Sequence, residues 1–136
     1  MKMNDSQRTK SVQTKVSEAR TKKSMKVRKE VNICKGEIKN LNQLEKLSQL
    51  LIPFLKPNTF LILQGELGAG KTTLTQLIAK NLGIKEKVNS PTFNILQRYK
   101  IKSDHYLNHF DFFRLTSADN LISFQELTIN NLNIIE

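Results

Sequence analysis

GELGAGKTT, residues Gly65 to Thr73, is the stretch on which the fold reading turns. Gly65, four intervening residues (Glu66, Leu67, Gly68, Ala69), then Gly70, Lys71 and Thr72 match the Walker A, or P-loop, pattern. Glycine reaches backbone angles that a Cβ disfavours, so successive N–H groups can converge on one concavity. When a helix starts there, its macrodipole adds about half a positive charge to the same point. Lys71 then brings a full charge to the β- and γ-phosphates, the Thr72 hydroxyl is placed to ligate Mg²⁺, and Thr73 can donate to the α-phosphate. The flanks agree. TFLILQG, from Thr59, is a nearly continuous apolar run, as expected of a strand buried in a parallel sheet. Leu74, Leu77, Ile78 and Leu82 make one face of a following helix, and Gly83 is placed to cap it. The nine residues Gly65 to Thr73 are therefore expected to hold a nucleotide with Mg²⁺.

Hydrolysis requires an acid for the metal and a group that orients water. Asp111 ends LNHFD, and Glu136 ends LNIIE. The second run is more apolar, as a central strand would be, so Glu136 is expected at the metal with Thr72. Asp111 is expected at the water or the metal shell, and is a catalytic candidate with Lys71. Ser90 and Thr92 flank Pro91 in a loop that could order around nucleotide like a switch. His109 reads as a hydrogen-bonded strand residue rather than a catalyst. Arg114 reads as an ion-pair partner of Asp111, Glu126 or another acid.

The chain has 136 residues, of which 38% are apolar, and the charge is unevenly spread. Residues 1–30 carry ten Lys or Arg against three acids, +7 of the net +10, and contain no aromatic residue, Leu or Ile. Such a segment cannot bury enough apolar surface to offset an ordering cost of about 1–2 kcal/mol per residue. Residues 1–31 are thus expected to be a disordered basic arm, either simply solvated or in contact with nucleic-acid phosphates. The mixture of Lys with acids argues against a transit peptide. Cys34 is the sole cysteine, which excludes an internal disulfide or a multi-cysteine metal site. No apolar run approaches the ~18–20 residues of a membrane span, and no secretory signal follows the basic start, so a cytoplasmic setting is expected.

The folded region, 32–136, is expected to open with a helix carrying Leu44, Leu47, Leu51 and Phe54 on one face. Asn42 and Glu45 would form its capping box, and Pro53 would shorten its last turn. Pro57 and Asn58 read as a turn, with Asn58 able to take a left-handed conformation. Phe93 to Tyr99 and YLNHFDFF read as an antiparallel hairpin about KIKSDHY. TSADNLISFQEL reads as a helix, and LNIIE as a final strand.

The ordered set GELGAGKTTL, SPTF, HFDFFRL and IIE resembles the TsaE (YjeE) family, small bacterial ATPases of tRNA threonylcarbamoyladenosine biosynthesis. The resemblance runs from about Glu37 to Glu136. It implies a P-loop α/β fold, weak ATPase activity and a complex with two glycoprotease-like subunits that modify adenosine in tRNA. It implies nucleotide and Mg²⁺ binding by Lys71, Thr72 and Thr73, a switch-like loop at Ser90, Pro91 and Thr92, a catalytic acid at Asp111 and a metal-binding acid at Glu136. Phe113 stands where the family commonly has Tyr, and Asn58 where it often has Gly. Members continue past the position of Glu136, usually with Trp and further strands, so the sheet is expected to lack C-terminal strands. The expected fold is α/β, a P-loop NTPase-like sheet flanked by helices and truncated at its C-terminus. A small-molecule kinase needs an acceptor pocket and usually an Arg-rich lid. After Gly70 the only arginines are Arg98 and Arg114. A truncated nucleotide-binding module without significant turnover is the other alternative.

Overall fold

The computed structural model describes residues 13–18, 35–91, 94–112 and 125–136. A helix, α1 (Leu41–Leu51), runs into a 3-10 turn (Ile52–Phe54) and strand β2 (Thr59–Gln64). The loop Gly65–Gly70 then opens helix α2 (Lys71–Asn81). Strands β3 (Leu96–Lys102), β4 (His105–Phe110) and β5 (Leu132–Ile135) follow, and β1 (Gln13–Glu18) precedes them all. The sheet order is β1-β2-β5-β4-β3. β5 is central and parallel to both β2 and β4, whereas β1–β2 and β3–β4 are antiparallel. The sheet is therefore mixed.

Alternation along the strands sorts the side chains. Leu61 pairs with Ile134, Leu107 with Leu132 and Tyr99 with Leu107, so these residues share one face. They join Leu74, Ile78 and Ala79 of α2 in a buried cluster, against which Leu44, Leu47 and Leu51 of α1 pack. Both helices thus cover the same face. Asn81 Nδ2 donates to Ser48 Oγ at 2.8 Å and Lys80 lies 3.5 Å from Glu45, tying α1 to α2. The opposite face carries Asn108 and Asn133, both fully buried. Asn108 Nδ2 donates to Asn133 Oδ1 (2.9 Å) and to the Leu127 carbonyl (2.7 Å). Asn133 Nδ2 lies 3.1 Å from both the Thr128 and Asn131 carbonyls. These amides fasten the helical residues 125–128 to the sheet.

Four expectations are corrected. The cap of α1 is Asn40, not Asn42: Gln43 N donates to Asn40 Oδ1 (3.0 Å), and Gln43 Oε1 accepts from Lys39 N (2.6 Å). Both Asn-x-x-Glu/Gln pairs fit the sequence rule, and the helix begins at the earlier one. Phe54 is 63% exposed while Leu55 is buried, because the 3-10 turn at Pro53 changes the winding after Leu51. β3 starts at Leu96 rather than Phe93 and runs to Lys102, so the hairpin turn is the short Ser103–Asp104. Within the stretch expected to be a disordered arm, Gln13–Glu18 pair with the free edge of β2, whose backbone groups need partners; the rest of that stretch lies outside the described residues. So does most of the expected helix 116–127, of which residues 125–128 are helical. Asn58 takes its left-handed conformation at φ 66°, and the Gly83 N–H donates to Lys80 O (3.0 Å) beyond α2, as the sequence predicts.

Asn133→Ala leaves Asn108 Nδ2 and two carbonyls short of a buried partner. It should cost about 1–3 kcal/mol of stability, read as a lower urea midpoint with an unchanged denaturant slope.

Candidate functional site at the strand ends

β2, β5 and β4 run parallel, so their C-terminal ends lie along one edge of the sheet. Ile62 pairs with Ile135, which sets Glu136 level with Leu63, two residues before the loop. Gly70 sits at φ 95° as the N-cap of α2, a conformation that would strain any residue with a Cβ. Gly65 is favoured for a different reason: a Cβ there would crowd the Ala69 Cβ at 3.0 Å. Ala69 N donates to the Glu66 carbonyl at 3.0 Å, closing a turn in which Leu67 stands 98% exposed. The Lys71 ammonium folds back over this loop, donating to the carbonyls of Gly65 (2.8 Å) and Glu66 (3.1 Å). A lysine held there is poised over the concavity rather than extended into solvent.

Glu136 is the hub of the side-chain contacts. Thr72 Oγ1 donates to its Oε2 at 2.9 Å, and Thr75 Oγ1 lies 3.2 Å from its Oε1. His109 Nε2 lies 2.8 Å from the same Oε1. The imidazole is fully buried and the Glu136 side chain is only 8% exposed. Burial raises the Glu136 pKa, but the hydrogen bond and charge of His109, with the Thr72 and Thr75 hydroxyls, outweigh it. The net position is below the ordinary carboxylate value.

Asp111 follows β4 directly. Its N–H donates to the Ile95 carbonyl (3.0 Å), and the ladder continues past it through Glu136 N to Phe110 O (2.8 Å) and Phe112 N to Glu136 O (3.0 Å). Asp111 and Glu136 are therefore neighbours across one strand spacing, ~4.8 Å. Thr73 is half-buried in the first turn of α2. Ser90 is half-buried and Pro91 buried, at the end of a loop held by Gln76 Nε2 to Val88 O (2.8 Å) and Asn89 N to Tyr99 Oη (3.2 Å). Thr92, Phe113 and Arg114 lie outside the described residues.

The structure thus brings Lys71, Thr72 and Glu136 to one place, with Asp111 on the adjoining strand. Sequence reasoning missed Thr75 as a partner of Glu136, although it lies three residues after Thr72 on the same helix. It also missed the tie from His109 to Glu136. The available signal was period-two spacing, since His109 precedes Asp111 by two in a strand. Nothing in the sequence flagged the anchors of the 84–91 loop.

A central parallel strand, a glycine loop and a helix whose first turn bonds an acid from a neighbouring strand define an α/β protein built around a helix N-terminus. The family described as Threonylcarbamoyl adenosine biosynthesis protein TsaE matches residues 38–136. Among curated proteins, the tRNA threonylcarbamoyladenosine biosynthesis protein TsaE of Rickettsia felis is 40% identical over 102 residues, 73% of this chain and 59% of that protein. The protein of the same name from Rickettsia conorii is 42% identical over 95 residues, covering 68% of this chain and 54% of its own length. That of Bacillus subtilis is 47% identical over 60 residues, 44% and 38% of the two chains. The chain belongs to the TsaE family. It spans little more than half the length of the two Rickettsia relatives.

The depressed Glu136 pKa fixes a sign. A group whose folded pKa lies below its unfolded one stabilises the fold above the unfolded value and loses that contribution as pH falls through the folded value. The ligand-free chain should therefore melt above Glu136→Gln at neutral pH, and the gap should shrink as pH drops below the ordinary carboxylate value; thermal melts along a pH series check this.

Proposed function

We propose that this chain is an ATP-binding and ATP-hydrolysing subunit acting in the formation of threonylcarbamoyladenosine in tRNA. Its Mg-ATP turnover resets a cytoplasmic complex with two glycoprotease-like subunits. The observation that carries the nucleotide part is the Thr72–Glu136 hydrogen bond, which joins residues 64 apart at the mouth of the glycine loop. The process is suggested by the names of the curated relatives. In every described segment, no helix is long and apolar enough to cross a membrane.

The residues present fit a magnesium-bound triphosphate. Backbone N–H groups of Gly65 to Thr73 would donate to phosphate oxygens, and the Lys71 ammonium would exchange two loop carbonyls for the β- and γ-phosphates. Among the described residues, no cluster of three or more His, Cys, Asp or Glu makes a cage for a metal. Mg²⁺ needs none: it is usually held by one or two carboxylates plus substrate phosphates and water. Thr72 Oγ1 and Glu136 Oε2, 2.9 Å apart, would be the hard oxygen ligands of that kind. When bound, the metal and triphosphate supply the electrophile for attack by water. The contacts of Glu136 with His109, Thr72 and Thr75 favour its ionised form against the opposing effect of burial. Asp111, one strand away, would orient the attacking water, and the segment Ser90, Pro91 and Thr92 would serve as the switch-like loop at the γ-phosphate. Arg98 sits with its guanidinium carbon 4.4 Å from the Tyr106 ring centre and donates to Asn108 Oδ1 at 3.0 Å. It is thereby committed to the hairpin, which favours an ATPase over a kinase with an arginine lid.

Lys71→Ala should abolish ATP binding in a filter assay with labelled nucleotide; retained affinity would exclude the loop as the site. With γ-labelled ATP, the unaltered chain should release free phosphate and label none of a panel of metabolites, whereas a labelled metabolite would indicate a kinase.

The basic residues 1–31 are proposed to contact nucleic acid through phosphate charge. Replacing Lys22, Lys23, Lys26, Arg28 and Lys29 by Gln should weaken tRNA binding and flatten its salt dependence, since fewer counterions are released. ATP binding should be unchanged.

A further inference from the structure

His109 does more than fill space beneath α2. Its ring is fully buried on the sheet face that carries Ile134, its pairing partner, and its Nε2 is 2.8 Å from Glu136 Oε1. Glu136 accepts there, so the proton in that contact is on Nε2. The other nitrogen, Nδ1, is buried without a hydrogen-bond partner among the described residues. A buried imidazole with one nitrogen unpartnered costs stability, and an apolar side chain of similar size would avoid that cost. The arrangement makes sense if the single bond it does form matters.

That bond works together with a second one. Thr75 Oγ1 lies 3.2 Å from the same Oε1 and 3.1 Å from the Lys71 carbonyl, so its one hydroxyl proton is shared between two acceptors, while Oε2 is left to Thr72 Oγ1. A carboxylate is free to rotate about its terminal torsion. The His109 N–H from β4 and the shared Thr75 hydroxyl from α2 meet on one oxygen, which restricts that rotation and selects which oxygen faces the loop. We propose that His109 is a positioning residue: with Thr75 it clamps Oε1 of Glu136 so that Oε2 and Thr72 Oγ1 form a prepared pair of oxygen ligands for Mg²⁺. The inference rests on the nucleotide reading above. It assigns His109 no contact with the nucleotide and no share in proton transfer.

The test uses the full chain and the fluorescent nucleotide mant-ADP. Affinity is measured in EDTA and then as a function of Mg²⁺, giving the Mg²⁺ concentration for half-maximal tightening. His109→Leu removes the donor; His109→Gln supplies an amide N–H near the Nε2 position. In His109→Leu, affinity in EDTA should stay within about twofold, while the Mg²⁺ requirement rises about 10- to 100-fold, the usual cost of losing a group that orients a metal ligand. His109→Gln should restore most of it, a recovery that a purely packing role would not give. Thr75→Val, which keeps the shape and removes the other donor on Oε1, should move the Mg²⁺ requirement in the same direction, and it decides the matter should His109→Leu fail to fold. An unchanged Mg²⁺ requirement in Thr75→Val or in folded His109→Leu overturns the proposal, as does equal weakening in EDTA and in Mg²⁺. If unaltered protein binds mant-ADP but does not tighten with Mg²⁺, the metal reading itself fails; if it tightens and His109→Leu matches it, only the role of His109 fails.

Discussion

The carboxylate of Glu136 is the point on which three elements converge. β5 carries it, α2 donates to it through Thr72 and Thr75, and β4 contacts it through His109. A charged group this buried is stable only when it is hydrogen-bonded on both oxygens. It is so bonded here because α2 begins directly above the ends of the parallel strands. The turn that starts α2 depends in turn on Gly65 and Gly70. The glycine loop, the helix start and the strand-end acid therefore form one physical unit.

Parallel pairing explains why this unit lies where it does. β2, β5 and β4 share a direction, so the residues following each strand gather on one edge. Gly65, Asp111 and Glu136 all follow strands, and all three reach that edge from distant parts of the chain. The opposite end of the sheet is handled with amides. Asn58, Asn108, Asn131 and Asn133 satisfy turn and helix carbonyls or N–H groups there. Buried amides thus hold the N-terminal ends of the parallel strands, and the contacts of Glu136 hold their C-terminal ends.

Much of this was legible in the residues. The loop pattern, the apolar run before it and the spacing of Leu74 and Ile78 after it located β2 and α2 because each rests on local rules. The apolar character of LNIIE placed β5 centrally, which put Glu136 beside the loop. Boundaries were less legible. Asn40 and Asn42 both satisfy a capping rule, so the pattern alone could not choose between them. Phe54 matched the helical period, but Pro53 had already altered the winding. The antiparallel β1 answers an unpaired edge of β2, a constraint that no local pattern announces. The bonds from His109 and Thr75 to one carboxylate were hidden because pairing between β4 and β5 is a long-range property.

The central claim is that the loop and the Glu136 carboxylate form a single metal–nucleotide site. Crystals of this chain grown with Mg²⁺ and a non-hydrolysable ATP analogue test it most directly. The account predicts phosphates against the backbone of Gly65 to Thr73, with the metal beside Thr72 and Glu136. A nucleotide bound elsewhere, or a metal remote from Glu136, would contradict it.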